Sequence, residues 1–475
     1  MSISQFISAL DDFAWGPIML ILLVGTGFYL SFRMGFLQFS RIPYWWKNTA
    51  GKLFRKHEAG QGEVTPLQAL TTALAATVGT GNIAGVTGAI FIGGPGAVFW
   101  MWIAALVGMM TKYSEVVLAV RYRERNANGD WVGGPMYYIK NGLGKKFKWL
   151  GTIFAILGMF CAFGIGNLTQ INSIAGSVNS MVTAFNPAAE SAKGTISLAT
   201  GIVIAVFCAV VLIGGVKRIG QVTEKLVPFM AAIYIVCAVI VVIAHAGQLP
   251  YVFGTIFRGA FQPTAAVGGI AGFTIANAIR RGVSRGVFSN EAGMGSTPHA
   301  HALAEVKSPH EQGVVAMIGV FIDTFLVLTM TALVIISVLY TKGGILASGA
   351  AEGVDKTNMA QIAFSSVFGT AVGNIFVAIC LLFFAFSTVL SWNYFGKVNV
   401  TWLFGKKAAG VYSVLAVVLI FLGSCLSNDL VWEMSDLFNQ LMVIPNVLAL
   451  LALSSMAIAS AKSKGRSGIE GDRTE

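Results

Sequence analysis

Eleven stretches of this chain are apolar over roughly 20 residues, the length an α-helix needs to cross the hydrocarbon core of a bilayer. They run over 14–32, 66–91, 95–119, 148–181, 196–215, 226–246, 262–283, 312–340, 358–391, 409–424 and 432–460. The longest must tilt, bend or extend beyond the membrane. Glycines interrupt 262–283, and 409–424 is short. So little polar chain separates these runs that no soluble domain fits between them, although 475 residues alone would allow about three. Only 11% of the residues are charged, against about 25% in a soluble protein. The expectation is one all-α polytopic membrane protein of about 11 transmembrane helices.

A net charge of +11 in a soluble protein would raise the question of nucleic acid. Here the charge sorts by membrane side instead. With the N-terminus outside and eleven crossings, 28 of the 32 basic residues fall in loops on one side, leaving Lys193, Arg258, Lys342 and Lys356 on the other. Basic loops stay in the cytoplasm. The chain is therefore expected to be a multi-pass plasma-membrane protein, of a bacterial or archaeal inner-membrane kind. Its N-terminus lies outside and its C-terminus in the cytoplasm, and the bilayer rather than nucleic acid is its partner. The first run is followed by Arg33, not by a small-residue cleavage site, and reads as a retained helix. The polar segment 461–475 reads as a disordered cytoplasmic tail. Cys161, Cys208, Cys237, Cys380 and Cys425 lie in or beside apolar segments and read as packing residues.

Two glycine clusters interrupt this pattern. The first runs from Ala75 to Gly85, with Gly79-Thr80-Gly81-Asn82 at the middle of the second segment. Each glycine weakens a helix by about 1 kcal/mol relative to alanine. A break at membrane depth frees backbone groups that must face protein, water or a ligand. The half-helix after the break presents N–H groups suited to a carboxylate, and the half before it presents carbonyls suited to a small cation. The second cluster, Gly268 to Asn277, lies in the seventh segment. With the first helix set aside, two five-helix halves remain, each opening on an interrupted segment, and the two segments run in opposite directions. Matched, inverted, broken helices point to a secondary transporter with its site near the midplane.

The stretches Gly79-Thr80-Gly81-Asn82-Ile83-Ala84-Gly85, Gly93-Gly94-Pro95-Gly96-Ala97-Val98-Phe99-Trp100-Met101-Trp102, Gly133-Gly134-Pro135-Met136-Tyr137-Tyr138, Asn290-Glu291-Ala292-Gly293-Met294-Gly295-Ser296 with Pro298-His299-Ala300-His301-Ala302, and Phe386-Ser387-Thr388 resemble the alanine or glycine:cation symporters, also called sodium:alanine symporters. The resemblance covers nearly the whole chain. It implies a LeuT-type inverted five-plus-five repeat with one extra N-terminal helix: 1–65 for that helix and a basic loop, 66–246 for the first repeat and 262–460 for the second. It implies that Gly79, Thr80, Gly81 and Asn82 bind substrate, the amides of Thr80 and Gly81 receiving its carboxylate. Phe273, Thr274 and Asn277 in the seventh segment and Gln170 in the fourth are further substrate-binding candidates, with Asn167 and Trp392 as lesser ones. Sodium, the coupling ion, would be held by the carbonyls of Ala75, Val78 and Phe384 and the hydroxyls of Ser387 and Thr388.

No Asp or Glu falls near either glycine cluster in sequence, so the site is expected to lack an acid of its own. A zwitterion brings both charges, and sodium favours hard oxygen ligands. Small residues at the break with Phe273 suit a small side chain. The expected function is sodium-coupled symport of a small neutral amino acid, alanine or glycine. Proton-coupled or uncoupled carriers remain open, as does a channel. No Ser/His dyad or carboxylate pair lies at the breaks, so an enzyme is not expected. Asp323, deep in the eighth segment, is open between a coupling role and helix packing. Glu115 and Asp436 are expected to contact basic loops, Glu291 to pair with Arg280, Arg281 or Arg285, and His299 with His301 to serve a loop or interface.

Overall fold

A computed structural model describes residues 16–40, 42–43, 45–46, 64–126, 129–213, 215–262, 274–347, 353–426 and 428–463. Apart from a small hairpin of β1 (Glu124–Arg125) and β2 (Trp131–Val132), the described chain is helices and connections. Helix α1 is Pro17–Arg33. The second apolar stretch is two helices, α2 (Pro66–Thr77) and α3 (Ala84–Gly93), bent by 57° where they meet. Thr65 and Gln68 start α2 with a reciprocal capping box, and Pro66 occupies its first turn. Helix α4 (Ala97–Arg121) turns back along α3, and α5 (Pro135–Gly142) follows the hairpin.

Helices α6 (Lys148–Phe163) and α7 (Thr169–Phe185) are joined by a π-turn at Gly164–Leu168. Then come α8 (Lys193–Ile213), α9 (Gly215–Ala244), α10 (Leu249–Phe261), α11 (Ile275–Asn290) and the short α12 (Pro298–His301). Helices α13 (Pro309–Val320) and α14 (Thr329–Leu339) flank a second π-turn, Phe321–Leu328. The chain continues as α15 (Met359–Phe368), α16 (Thr370–Phe404), α17 (Ala408–Gly423), α18 (Asn428–Ala452) and α19 (Ser454–Lys462). Helix α16 is central, packing against α2, α6, α7, α9 and α17. Helix α4 is also interior: its apolar window is 83% buried, against 28% for the span containing α8 and 33% for that of α9. The exposed Val206 and Phe207 of α8 and Val236 and Ile243 of α9 form a surface suited to lipid tails.

Among the described residues, seven helical stretches are long and apolar enough to cross a membrane, or eight with α2 and α3 taken together. Helices α1, α15 and α17 are apolar but shorter. The stretch expected over 358–391 divides at Gly369 (φ 79°), where left-handed backbone ends α15 and α16 begins. Three of the connections expected on the basic side meet at one end. Val64 pairs with Ala304, Arg123 donates to the carbonyls of Ala302 and Ala304, and Gln68 donates to Glu224.

The seventh segment differs from expectation. Its expected break, Gly268 to Gly272 together with Phe273, lies outside the described residues. The described part, α11, starts at the far end of the molecule, where Arg281 and the Asn277 carbonyl meet Gly93, and runs down α4 past Ala97 and Met101. Arg281 and Arg285 therefore belong to the half of the molecule away from the basic loops. Among the described residues, this helix is interrupted at 291–297, between α11 and α12. The reason is local: Glu291 takes left-handed backbone (φ 55°), and Gly293 and Gly295 do likewise.

The α3–α4 corner depends on one close approach. Gly96 lies so near Gly259 of α10 that a Cβ there would overlap the partner's backbone. Gly96→Ala is expected to destabilise the protein by about 2 kcal/mol through overpacking. The readout is thermal unfolding in detergent, where the midpoint should drop by a few degrees; an unchanged midpoint would show that the corner relaxes freely.

Candidate functional site

The first break, Val78 to Ile83, is buried throughout. Its backbone is partly satisfied from within: Gly79 N–H donates to Thr77 O at 2.9 Å and to Asn82 Oδ1 at 3.0 Å. Thr80 N–H donates to Gln170 Oε1 of α7 at 3.4 Å, a long bond, while Gln170 Nε2 is held by Ile165 O at 2.9 Å. Thr80 Oγ1 is buried without a partner. Gly79 is glycine for a steric reason, because a Cβ would overlap Thr388 Oγ1 of α16. Gln170 thus lies beside the first break, and Asn167 accepts from Asn393 one turn away.

Where α2 ends against α16, four oxygens converge. Thr388 Oγ1 lies 2.9 Å from Ala75 O and 3.0 Å from Phe384 O; Ser387 Oγ lies 2.9 Å from Phe384 O and 3.4 Å from Ala75 O. Val78, the last residue before Gly79, is fully buried beside them. A carbonyl at the C-terminus of α2, a carbonyl within α16 and two hydroxyls form a hard-oxygen set of the kind a sodium ion takes.

The expectation of an acid-free site does not hold. Asp323, in the π-turn after α13 and fully buried, accepts from Asn82 Nδ2 at 2.7 Å. Ser289 Oγ lies 3.0 and 2.9 Å from its two carboxylate oxygens, and Thr324 Oγ1 donates at 3.1 Å. No lysine or arginine among the described residues forms an ion pair with it. Asp323 is 241 positions from Asn82, and only folding joins them. Ser289 was missed for the same reason: it lies against Gly81 across the two breaks, at the end of α11 and beyond the expected span 262–283.

The second break, 291–297, is held by a buried charged network. Lys112 Nζ of α4 donates to Glu291 O and to Thr297 Oγ1, both at 2.6 Å, and lies 3.5 Å from Glu115. Glu115 accepts from Gly295 N at 2.8 Å and from Asn446 Nδ2 of α18 at 2.6 Å. Trp392 Nε1 donates to Glu291 Oε1 at 2.8 Å, and Ser296 Oγ donates to its other oxygen. Glu291 therefore pairs with none of the arginines expected, and Glu115 faces the break rather than a basic loop. His299 and His301 are buried here, bonded to Ser296 O and Gln312, with no metal-binding group among the described residues.

Toward the far end, a cavity of about 90 Å³ opens between Gly85 and Gly88 of α3, Asn172 and Gly176 of α7, and Arg281 and Arg285 of α11. At its wall Arg285 makes a bidentate pair with Asp436 of α18, both bonds 2.7 Å, with its guanidinium 4.8 Å above the ring of Trp432. Asp436 thus serves this ion pair, not a basic loop. Phe288 and Trp432 pack with centroids 5.1 Å apart. Thr274 and Asn277 stand exposed at the start of α11, where Thr274 Oγ1 caps Asn277 N, and the structure does not bring them to either break.

Comparison with known proteins agrees with this architecture. The family model for the sodium:alanine symporter family matches residues 1–471. The sodium/alanine symporter AgcS of Methanococcus maripaludis is 42% identical over 98% of this chain and 97% of its own. The putative sodium/proton-dependent alanine carrier protein YrbD of Bacillus subtilis is 35% identical over 98% of this chain and 94% of its own. Among solved structures, MhsT in complex with L-phenylalanine superposes with a TM-score of 0.56 at 14% identity, covering 86% of this chain and all of that one. That likeness shows a shared, LeuT-like fold. Relatives of this kind are polytopic amino-acid symporters and not enzymes, and the chain belongs to the sodium:alanine symporter family.

Proposed function

We propose that the protein is a sodium-coupled symporter of small neutral amino acids, alanine and glycine, working by alternating access in the plasma membrane with its N-terminus outside and its C-terminus in the cytoplasm. The observation that carries this reading is the oxygen cluster of Ala75, Phe384, Ser387 and Thr388 beside a broken helix whose Thr80 amide is only loosely engaged. Sodium takes that cluster together with the Val78 carbonyl. The substrate carboxylate takes the amides of Thr80 and Gly81, displacing Gln170 Oε1. The eleven-helix, five-plus-five organisation is part of the same proposal. It is supported by two interrupted helices, α2–α3 and α11–α12, that run in opposite directions and meet where Gly81 faces Ser289. One sodium ion entering down 100 mV supplies about 2.3 kcal/mol, enough to concentrate substrate appreciably.

Purified protein in proteoliposomes should take up alanine only with an inward sodium gradient. Uptake undiminished with choline in place of sodium would refute the coupling. Replacing Ser387→Ala with Thr388→Ala should raise the half-saturating sodium concentration about tenfold, equivalent to ~1.4 kcal/mol. An unshifted sodium curve would remove both hydroxyls from the ion site.

One observation favours proton coupling as a second reading: Asp323 puts an unpaired carboxylate at the break. Under that reading, Asp323→Asn abolishes uptake driven by a pH gradient at fixed sodium. Under sodium coupling through Ser387 and Thr388 alone, no pH-driven uptake exists to be lost.

A further inference from the structure

Helix α18 carries two buried amides that nothing in the fold satisfies. Asn439 and Gln440 are each 1% exposed, and all four of their side-chain polar atoms lack a hydrogen-bond partner. A polar atom buried without a partner keeps its full desolvation penalty, so four on adjacent residues imply a ligand that the amides receive. The helix itself shows where they point. Asp436, Asn439 and Asn446 recur at three- and four-residue steps around Val443 and share one face of α18, with Gln440 at its edge. The two ends of that face are fixed by contacts. Asp436 binds Arg285 on α11, and Asn446 Nδ2 donates to Gly293 O, in the second break, at 2.8 Å. Between Arg285 and Gly293 lies the C-terminus of α11, so the amides face the point where α11 ends.

That end has a definite electrostatic character. The last carbonyls of a helix have no intrahelical donors and carry the negative end of its dipole. Across from it, where Ser289 meets Gly81, the first break offers N–H groups of the opposite sense. A zwitterion spans such a gap with its carboxylate on one side and its ammonium on the other.

We propose that Asn439 and Gln440 form the ammonium-binding half of the substrate site, their amide oxygens joining the terminal carbonyls of α11 around the substrate's α-ammonium group. This rests on the amino-acid reading above and deepens it. It assigns α18 a direct role in recognition and explains why the two amides are left open.

The test is equilibrium binding of radiolabelled alanine to the purified protein in sodium, with lactate as competitor, since lactate replaces the ammonium by a hydroxyl. Asn439→Leu and Gln440→Leu should each weaken alanine binding about tenfold or more, as loss of a hydrogen bond to a charged group does. The preference for alanine over lactate should shrink, while the half-saturating sodium concentration stays put. Asn439→Asp, which keeps an acceptor, should retain alanine affinity. Unchanged alanine affinity in the leucine variants overturns the proposal, because the amides then hold only water. Equal losses for alanine and lactate also overturn it, as general damage to the pocket. Should the leucine variants not fold, Asn439→Asp and Gln440→Glu carry the test: a sharper preference for alanine over lactate supports the proposal and an unchanged one refutes it. If the wild-type protein binds no alanine, the substrate reading falls on its own. The same variants are then read against whichever amino acid raises the wild-type melting temperature, and its 2-hydroxy analogue.

Discussion

Inside a bilayer, every backbone N–H and C=O must find a partner in the protein. This requirement shapes the whole molecule, because two of its helices are interrupted in the protein interior. Residues 78–83 and 291–297 expose peptide groups that no lipid can satisfy. They survive because α4, α7, α16 and α18 bring side chains to them. Gln170 and Asn82 serve the first break, and Lys112, Glu115, Trp392 and Asn446 the second. The two π-turns fall beside these places: Gly164–Leu168 lies just before Gln170, and Phe321–Leu328 carries Asp323. A wide turn shifts helical phase by one residue and rotates a polar group toward the interior, which is why such turns gather at functional sites.

The two breaks are held with unequal strength. Around 291–297 the bonds involve charged groups: Lys112 at 2.6 Å to two oxygens, Glu115 at 2.6 and 2.8 Å, and Glu291 at 2.8 Å to Trp392. Charge-assisted bonds are about twice as strong as neutral ones. Around 78–83 the bonds are neutral except for Asn82 to Asp323, and the Thr80–Gln170 contact is long. An incoming carboxylate can therefore displace Gln170 at little cost. The same carboxylate could not dislodge the Lys112–Glu115–Asn446 network, which seals the basic side beneath the breaks. On the far side the barrier is thinner, being the Arg285–Asp436 pair with Phe288 against Trp432.

Much of this was legible in the sequence, and the failures have a common cause. Apolar length gave the membrane, and the Gly79-Thr80-Gly81-Asn82 run gave the first break, because glycine between polar residues weakens a helix wherever it lies. Gln170, Ser387 and Thr388, named through the resemblance, lie beside that break in the structure. The cluster at 268–272 lies outside the described residues, and the interruption at 291–297 could not be read from spacing, because it is imposed by left-handed backbone at Glu291, Gly293 and Gly295 and by Lys112, which is far away in sequence. The acids failed for the same reason. Asp323 is remote from the glycine clusters along the chain and adjacent to one of them in space. Spacing reads local geometry well, but contacts between residues 34 to 331 positions apart exist only after packing.

The charge at the two breaks bears on selectivity. Counted in their ionised forms, Lys112 offsets Glu115, and Arg285 offsets Asp436, leaving Asp323 and Glu291 without a basic side chain of their own. A surplus of negative charge in a low-dielectric interior attracts cations and repels anions over several ångströms. Where those acids are ionised, this surplus would, under the proposed coupling, favour loading of a cation before or with the substrate, since the cation lowers the repulsion that a substrate carboxylate meets. It also disfavours acidic amino acids, whose second carboxylate would add to the surplus. Neutral zwitterions add no net charge and, under the proposed function, would depend on where each end sits: the carboxylate at the amide-bearing start of α3, the ammonium toward the carbonyl end of α11. Coupling and selectivity then share one origin. Under the proposed function, a site short of positive charge would need the ion to admit the carboxylate and would reject substrates that bring more negative charge than one ion can offset.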